Sequence, residues 1–218
     1  MADLSNVRIN PARLWDSLME MAKIGATPKG GCKRLTLTDL DKQSRTLFKS
    51  WCEGAGCSVK VDAMGNMFAR RPGEDDGLAP VMMGSHLDTQ PTGGKFDGAL
   101  GVLGALEVVR SLNDLKIKTR HPIEVANWTN EEGSRYAPAM ISSGVFAGVF
   151  TKEFAYSCLD AEGKPLGDEL KRIGFQGEEP VGGRPVHAFF ELHIEQGPIL
   201  EDESIDVGVV TQIGRAHV

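Results

Sequence analysis

The chain has 218 residues, 41% of them hydrophobic, with 30 acidic against 24 basic residues and a formal net charge of -6. That length and composition can bury one good core, or a core with a small appendage, and the acidic balance argues against a nucleic-acid partner, which calls for a basic face. No apolar run is long enough to cross a bilayer and no basic, then apolar, leader precedes the first helix, so no membrane partner and a cytoplasmic location are expected.

Asn10 and Pro11 open a first helix, since asparagine caps well and proline fits the first turn. Leu14, Leu18, Met19, Met21 and Ile24 give it an apolar stripe, and Gly25 stops it. After a loop over residues 30–35, Thr38 and Asp39 cap a second helix that runs through Leu47, Phe48 and Trp51. From Cys57 the period changes to two. Val59 and Val61 alternate with polar neighbours, and residues 67–70 follow a Gly65-Asn66 turn, so a hairpin is expected. Residues 71–79 read as a surface loop. Cys32, Cys52, Cys57 and Cys158 form no closely spaced pair, which favours free thiols over a zinc site or a disulfide.

The stretch from Pro80 to Gly104 organises the rest. It holds a short apolar strand, the polar cluster Ser85, His86, Asp88 and Thr89, a glycine turn, and Asp97 at the mouth of a Gly/Ala/Leu-rich helix. Alternation puts His86 and Asp88 on one face at the carboxyl end of a strand, where open α/β sheets place their ligand sites. Gly98, Gly101 and Gly104 lack the tight opening of a dinucleotide fingerprint and read as small residues that let a helix lie close to a sheet. Residues 122–128 form a strand ending in Glu131-Glu132. Short helices are expected within 134–148 and 163–174, and strands over 186–194 and 205–210. Strands alternating with helices indicate an α/β fold, a three-layer sandwich with a mostly parallel central sheet.

Imidazoles and carboxylates that close separate strands read as one metal site. His86 and His193 supply nitrogen, Asp97 can bridge two ions, and Asp88 can fix the His86 tautomer by bonding its other ring nitrogen. Glu131 and Glu132 can divide the work, one ligating and the other staying free as a base. His121, His187 and His217 lack this context and read as structural or surface residues.

The motifs GSHLDT, GGKFDGALGV, NEEGSRYAPAMISSGVFAG and ELHIEQGP resemble the M20-type metal-dependent amidohydrolases, in the branch of N-carbamoyl-L-amino-acid hydrolase, β-ureidopropionase and allantoate amidohydrolase. The resemblance runs from about Leu14 to Val210. It implies two divalent metal ions, Zn or Mn, Co or Ni, with His86 and His193 on different ions, Asp97 as the bridge, Glu132 as a ligand and Glu131 as general base. It further implies Asp88 as the partner of His86, and Gln196 with Glu195 at the substrate. The implied reaction cleaves the ureido C-N bond of a small N-carbamoyl amino acid, giving amino acid, ammonia and carbon dioxide, with allantoate as the alternative substrate.

Family members of this kind are homodimers about twice as long, with a lid and dimerisation domain. The expectation is therefore that residues 1–211 are the N-terminal part of the catalytic domain, that 212–218 are a non-matching tail in which Arg215 and His217 carry no role, and that the isolated chain is impaired or inactive. A non-catalytic binding remnant is the reading from another class.

Overall fold

The computed structural model of the chain describes residues 7–211. Helix α1, Pro11–Lys23, starts where its cap dictates: the Asn10 side chain accepts a hydrogen bond from the Arg13 amide, and Pro11 fills the first turn. Helix α2, Asp39–Gly54, is capped by Thr38, whose hydroxyl accepts from the Asp41 amide. Its inner face buries Phe48 and Cys52, and also Asp41 and Arg45, which pair at 2.8 Å one turn apart.

The period-two stretch becomes an antiparallel hairpin of β1, Ser58–Val61, and β2, Met67–Arg71, with Val61 opposite Met67. The Asp62 carboxylate organises the connection by accepting from the Met64 and Asn66 amides and from the Asn66 side chain. Strand β3, Val81–His86, leads through helix α3, Ala99–Asp114, into β4, Ile123–Trp128, which lies parallel to β3. Three short helices follow, α4 (Ile141–Phe146), α5 (Lys152–Ser157) and α6 (Leu166–Arg172). Strand β5, Ala188–Phe190, then adds in parallel to the other side of β3, and α7, Ile199–Asp202, ends the regular structure.

The sheet order is β1-β2-β4-β3-β5. The expected α/β class holds, with a mixed sheet: β3 makes parallel pairs on both sides, while the hairpin joins β4 through an antiparallel edge. Alternation sorts the strand side chains onto two faces. Met67, Ala69, Ile123 and Val125 meet Leu18, Phe48, Leu103, Leu106 and Val109 from α1, α2 and α3. On the other face, Phe68, Met82, Ala126 and Trp128 meet Phe146 of α4 and Val186. Leu37, Met64, Tyr136, Ile141, Leu166 and Leu170 form a further cluster that ties α4 and α6 to the loops beside the sheet. Side chains such as Phe48 and Leu106 have no exposed surface, and each such burial contributes about 1.5–3 kcal/mol.

The sequence expectation departs from the structure mainly near the carboxyl end. The strand expected over 186–194 pairs only at Ala188–Phe190, and residues 205–210 are exposed and join no strand among the described residues. Apolar alternation makes a strand only where a neighbouring strand takes its amides, and Val207 and Val209 have none. Helix α5 lies outside the expected helices, and Thr151 caps it by accepting from the Phe154 amide. The four cysteines are free thiols, three of them buried. No helix of the described residues is long and apolar enough to cross a membrane. The expected tail 212–218, with Arg215 and His217, lies outside the described residues.

Candidate metal centre

His86 is the last residue of β3 and is 1% exposed. The start of α3 lies directly against its ring. Gly98, at φ 64°, has no Cβ, and one built there would sit 2.4 Å from His86 Cε1, so this approach requires glycine. Asp97, one residue earlier, is thereby delivered beside the imidazole. His193 arrives from the segment that follows β5, and the two imidazole centroids are 5.9 Å apart.

The histidines are held in the same way. His86 Nδ1 lies 2.8 Å from the Asp88 main-chain oxygen, and His193 Nδ1 lies 2.8 Å from the Ile194 main-chain oxygen. A carbonyl only accepts, so each Nδ1 carries a hydrogen, and in the neutral rings both Nε2 lone pairs are free. Both lie near one atom: Asp97 Oδ1 is 3.3 Å from His193 Nε2 and 3.9 Å from His86 Nε2. That oxygen is buried and receives no hydrogen bond. Three electron-pair donors, one each from His86, Asp97 and His193, thus lie within 4.8 Å of one another. Such a cluster is repulsive unless a proton or a cation sits among its atoms. The nitrogen and oxygen donor set fits Zn, and equally Mn, Co or Ni.

Glu131 and Glu132 follow β4 through Asn130, whose φ is 54°. Glu131 Oε2 stands 3.3 Å from His86 Nε2, at the edge of the cluster. Glu132, expected as a ligand, stands outside it: Oε2 accepts from Gln90 Nε2 at 3.1 Å, while Oε1 is buried without a partner. Asp88 also differs from expectation. Its carboxylate is 3.9 Å from His86 Nδ1, and the main-chain oxygen orients the ring instead. The carboxylate accepts from the amides of Glu131 and Glu132, each at 3.3 Å, and so holds the turn that carries both glutamates.

Gln196, expected at substrate, donates from Nε2 to Asp97 Oδ2 at 2.8 Å. Glu195 is turned away, because its carboxylate caps α7 by accepting from the Ile199 and Leu200 amides. Burial pushes the Glu131 carboxyl above its ordinary range; nearby His86 opposes this, and the carboxylates of Asp88, Glu132 and Glu191 reinforce it. For His86, burial favours the neutral ring, but Asp88 and Glu131 outweigh it and raise the pKa.

Sequence reasoning missed the supports beneath the cluster. Arg34 is 1% exposed, and its guanidinium donates to main-chain oxygens, 2.7 Å to Leu87 and 2.8 Å to Ile24. Its own amide donates to Thr89 Oγ1 at 2.8 Å. Arg34 therefore clamps the strand end between His86 and Asp88. Arg45, also buried, bonds Gly65 O and Thr129 Oγ1 under the Glu131 turn. A loop arginine that bonds distant carbonyls leaves no local sequence signal. His121 and His187 stack at 4.1 Å by the amino ends of β4 and β5, away from the cluster, as expected.

Residues 82–215 match peptidase family M20/M25/M40. An N-carbamoyl-L-amino-acid amidohydrolase of Rhizobium meliloti is 66% identical over 206 residues, which are 94% of this chain and 50% of that protein. A ureidoglycolate hydrolase of Arabidopsis thaliana is 33% identical over 220 residues, covering 96% of this chain and 46% of that protein. Among solved structures, an amidase of the hydantoinase/carbamoylase family from Burkholderia multivorans superposes with a TM-score of 0.90 at 65% identity, covering 91% of this chain and 48% of that one. The chain spans about half the length of the curated relatives it matches. The matched stretch covers more than half of the 218 residues and includes nearly all of β3, Asp97, the Glu131 turn and His193, so the chain belongs to peptidase family M20/M25/M40.

Proposed function

We propose that the cluster of His86, Asp97 and His193 is part of a dinuclear metal centre that hydrolyses the carbamoyl C-N bond of N-carbamoyl amino acids. The observation that carries this reading is the convergence of two Nε2 atoms on an unpartnered, buried Asp97 oxygen. Asp97 would serve both ions, and Glu132, whose buried Oε1 has no partner, would supply a further carboxylate oxygen. Divalent ions held there, Zn or Mn, Co or Ni, would polarise the carbamoyl carbonyl and acidify water.

The remaining work falls to the chain's own side chains. Glu131, whose carboxyl is pushed up by burial, takes a proton from the attacking water and returns it to the departing nitrogen. Asp88 keeps that glutamate in place through the two amides it accepts from. Gln196 stands beside Asp97 within reach of a ureido group, with Glu195 fixing the turn that follows it.

The names of the amidohydrolase relatives support the carbamoyl substrate, and the Arabidopsis ureidoglycolate hydrolase supports a second reading in which other ureido acids, allantoate among them, are cleaved. Residues 1–211 are read as the N-terminal part of the catalytic domain of a cytoplasmic enzyme that is a homodimer at full length. His193 lies beyond the three-residue strand β5 and keeps 30% of its side chain exposed, so impaired turnover or none is expected of the 218 residues alone. The test is ammonia release by the metal-loaded chain from N-carbamoyl amino acids, ureidoglycolate and allantoate. Slow turnover fastest with an N-carbamoyl-L-amino acid supports the proposal. No metal uptake and no turnover would sink it.

A further inference from the structure

The backbone ladder between β3 and β5 ends with Met83 opposite Phe190, before either metal-site histidine is reached. Continued without slip, that register would set Ser85 opposite Leu192 and His86 opposite His193, and the two rings are indeed neighbours at 5.9 Å. A parallel strand loses its register where its ladder stops unless side chains take over. Two features of this chain do so. Ser85, fully buried next to His86, donates its hydroxyl to Glu191 Oε1 at 2.5 Å. Gly101, in the first turns of α3, leaves room for the same segment: a Cβ there would lie 2.6 Å from Leu192 O and 2.7 Å from Ser85 Cβ.

Building on the metal-centre reading, we infer that Ser85 and Glu191 are positioning residues of that centre. Their bond keeps the segment carrying His193 level with β3, and so sets the separation of the two imidazoles about Asp97. Neither side chain is among the clustered donor atoms. A hydroxyl bonded to a carboxylate suits this role because charge-assisted bonds are short and about twice as strong as neutral ones. The link also spans the two stretches, GSHLDT and ELHIEQGP, that each supply one histidine.

The experiment is a Co2+ titration of the full 218-residue chain, read by its visible absorption, with thermal melts of the metal-free proteins alongside. Ser85→Ala and Glu191→Ala should weaken Co2+ binding on the order of 10–100-fold, the cost typical of removing a group that orients a ligand. Glu191→Gln retains an oxygen that accepts from Ser85 and should restore most of the affinity, whereas a general loss of fold would show in the metal-free melt. Glu191 is exposed, so its alanine variant remains informative should Ser85→Ala fail to fold. If the unmutated chain binds Co2+ through His86 and a folded Glu191→Ala variant binds it equally well, the positioning role is wrong and the metal reading stands. If the unmutated chain takes up no Co2+, the metal reading fails and carries this inference with it.

Discussion

His86 and His193 aim the same ring nitrogen at the same carboxylate oxygen, and each is held there by a main-chain carbonyl at its other nitrogen. This arrangement leaves no rotational choice about which nitrogen faces Asp97. Replacing either histidine with alanine should therefore lower Zn2+ or Co2+ affinity by more than the roughly 10–100-fold typical of losing an orienting partner. Calorimetric titration of the two variants checks this. Equal affinity in wild type and His193→Ala would mean that the cluster binds no ion through both rings.

Glu131 touches His86 but lies outside the three converging donors. Glu131→Gln keeps the shape and removes the proton acceptor, so bound metal should be retained while turnover falls by roughly 10²–10⁴, the usual contribution of general acid-base catalysis. Metal content by atomic absorption, measured with ammonia release, separates the two effects. Parallel loss of metal and activity would recast Glu131 as a ligand.

The site's outline was legible in the sequence because its parts announce themselves locally. Asn10 and Thr38 cap helices by bonding amides three residues on, and His86 follows an apolar run that could only be a buried strand. What was not legible depends on partners far along the chain. The strand around Phe190 stops short because pairing is decided by β3, and Glu195 caps a helix too short to leave an apolar period. Arg34 escaped notice for the same reason, since its acceptors lie at Met21, Ile24 and Leu87.

Arg34 should consequently matter for stability. Arg34→Met removes bonds from a charged donor and leaves the Leu87 carbonyl buried without its partner, at a cost of about 3 kcal/mol. Urea unfolding of the metal-free variant measures it. A change within error would show that the loop closes over the carbonyl without the guanidinium.

Arg135 leads to a pH prediction. It bonds Asp160 and Glu169, which lie beside it in the fold, at 2.9 and 2.8 Å. Burial alone would raise both acids; the Lys164 amide and Arg135 outweigh it at Asp160, and Arg135 with Arg172 outweighs it at Glu169, so both fall below their ordinary values of 3.8 and 4.5. A folded-state pKa below the unfolded one means that the unfolded chain binds more protons as acid is added. This stabilisation is complete above the ordinary carboxylate values and is lost as pH falls below them and through the lower folded-state values. The melting temperature should drop on acidification more steeply in wild type than in Arg135→Met, and parallel curves would refute the assignment.

Gly98 offers a test that alters the cluster without removing any donor. Its backbone is left-handed at φ 64°, and an added methyl would come 2.4 Å from His86 Cε1 and 2.5 Å from Cγ and from Cδ2. Alanine there pays in backbone strain and must also displace either the imidazole or the start of α3, which carries Asp97. Since His86 is buried under Asp88 and Glu131, the ring has little room to retreat, and the Asp97 side of the cluster should open instead. Gly98→Ala is expected to fold with a modestly lower melting temperature and to lose most of its Co2+ affinity. A variant that binds Co2+ as tightly as wild type would show that the close approach of α3 to His86 is a packing feature with no bearing on the metal centre.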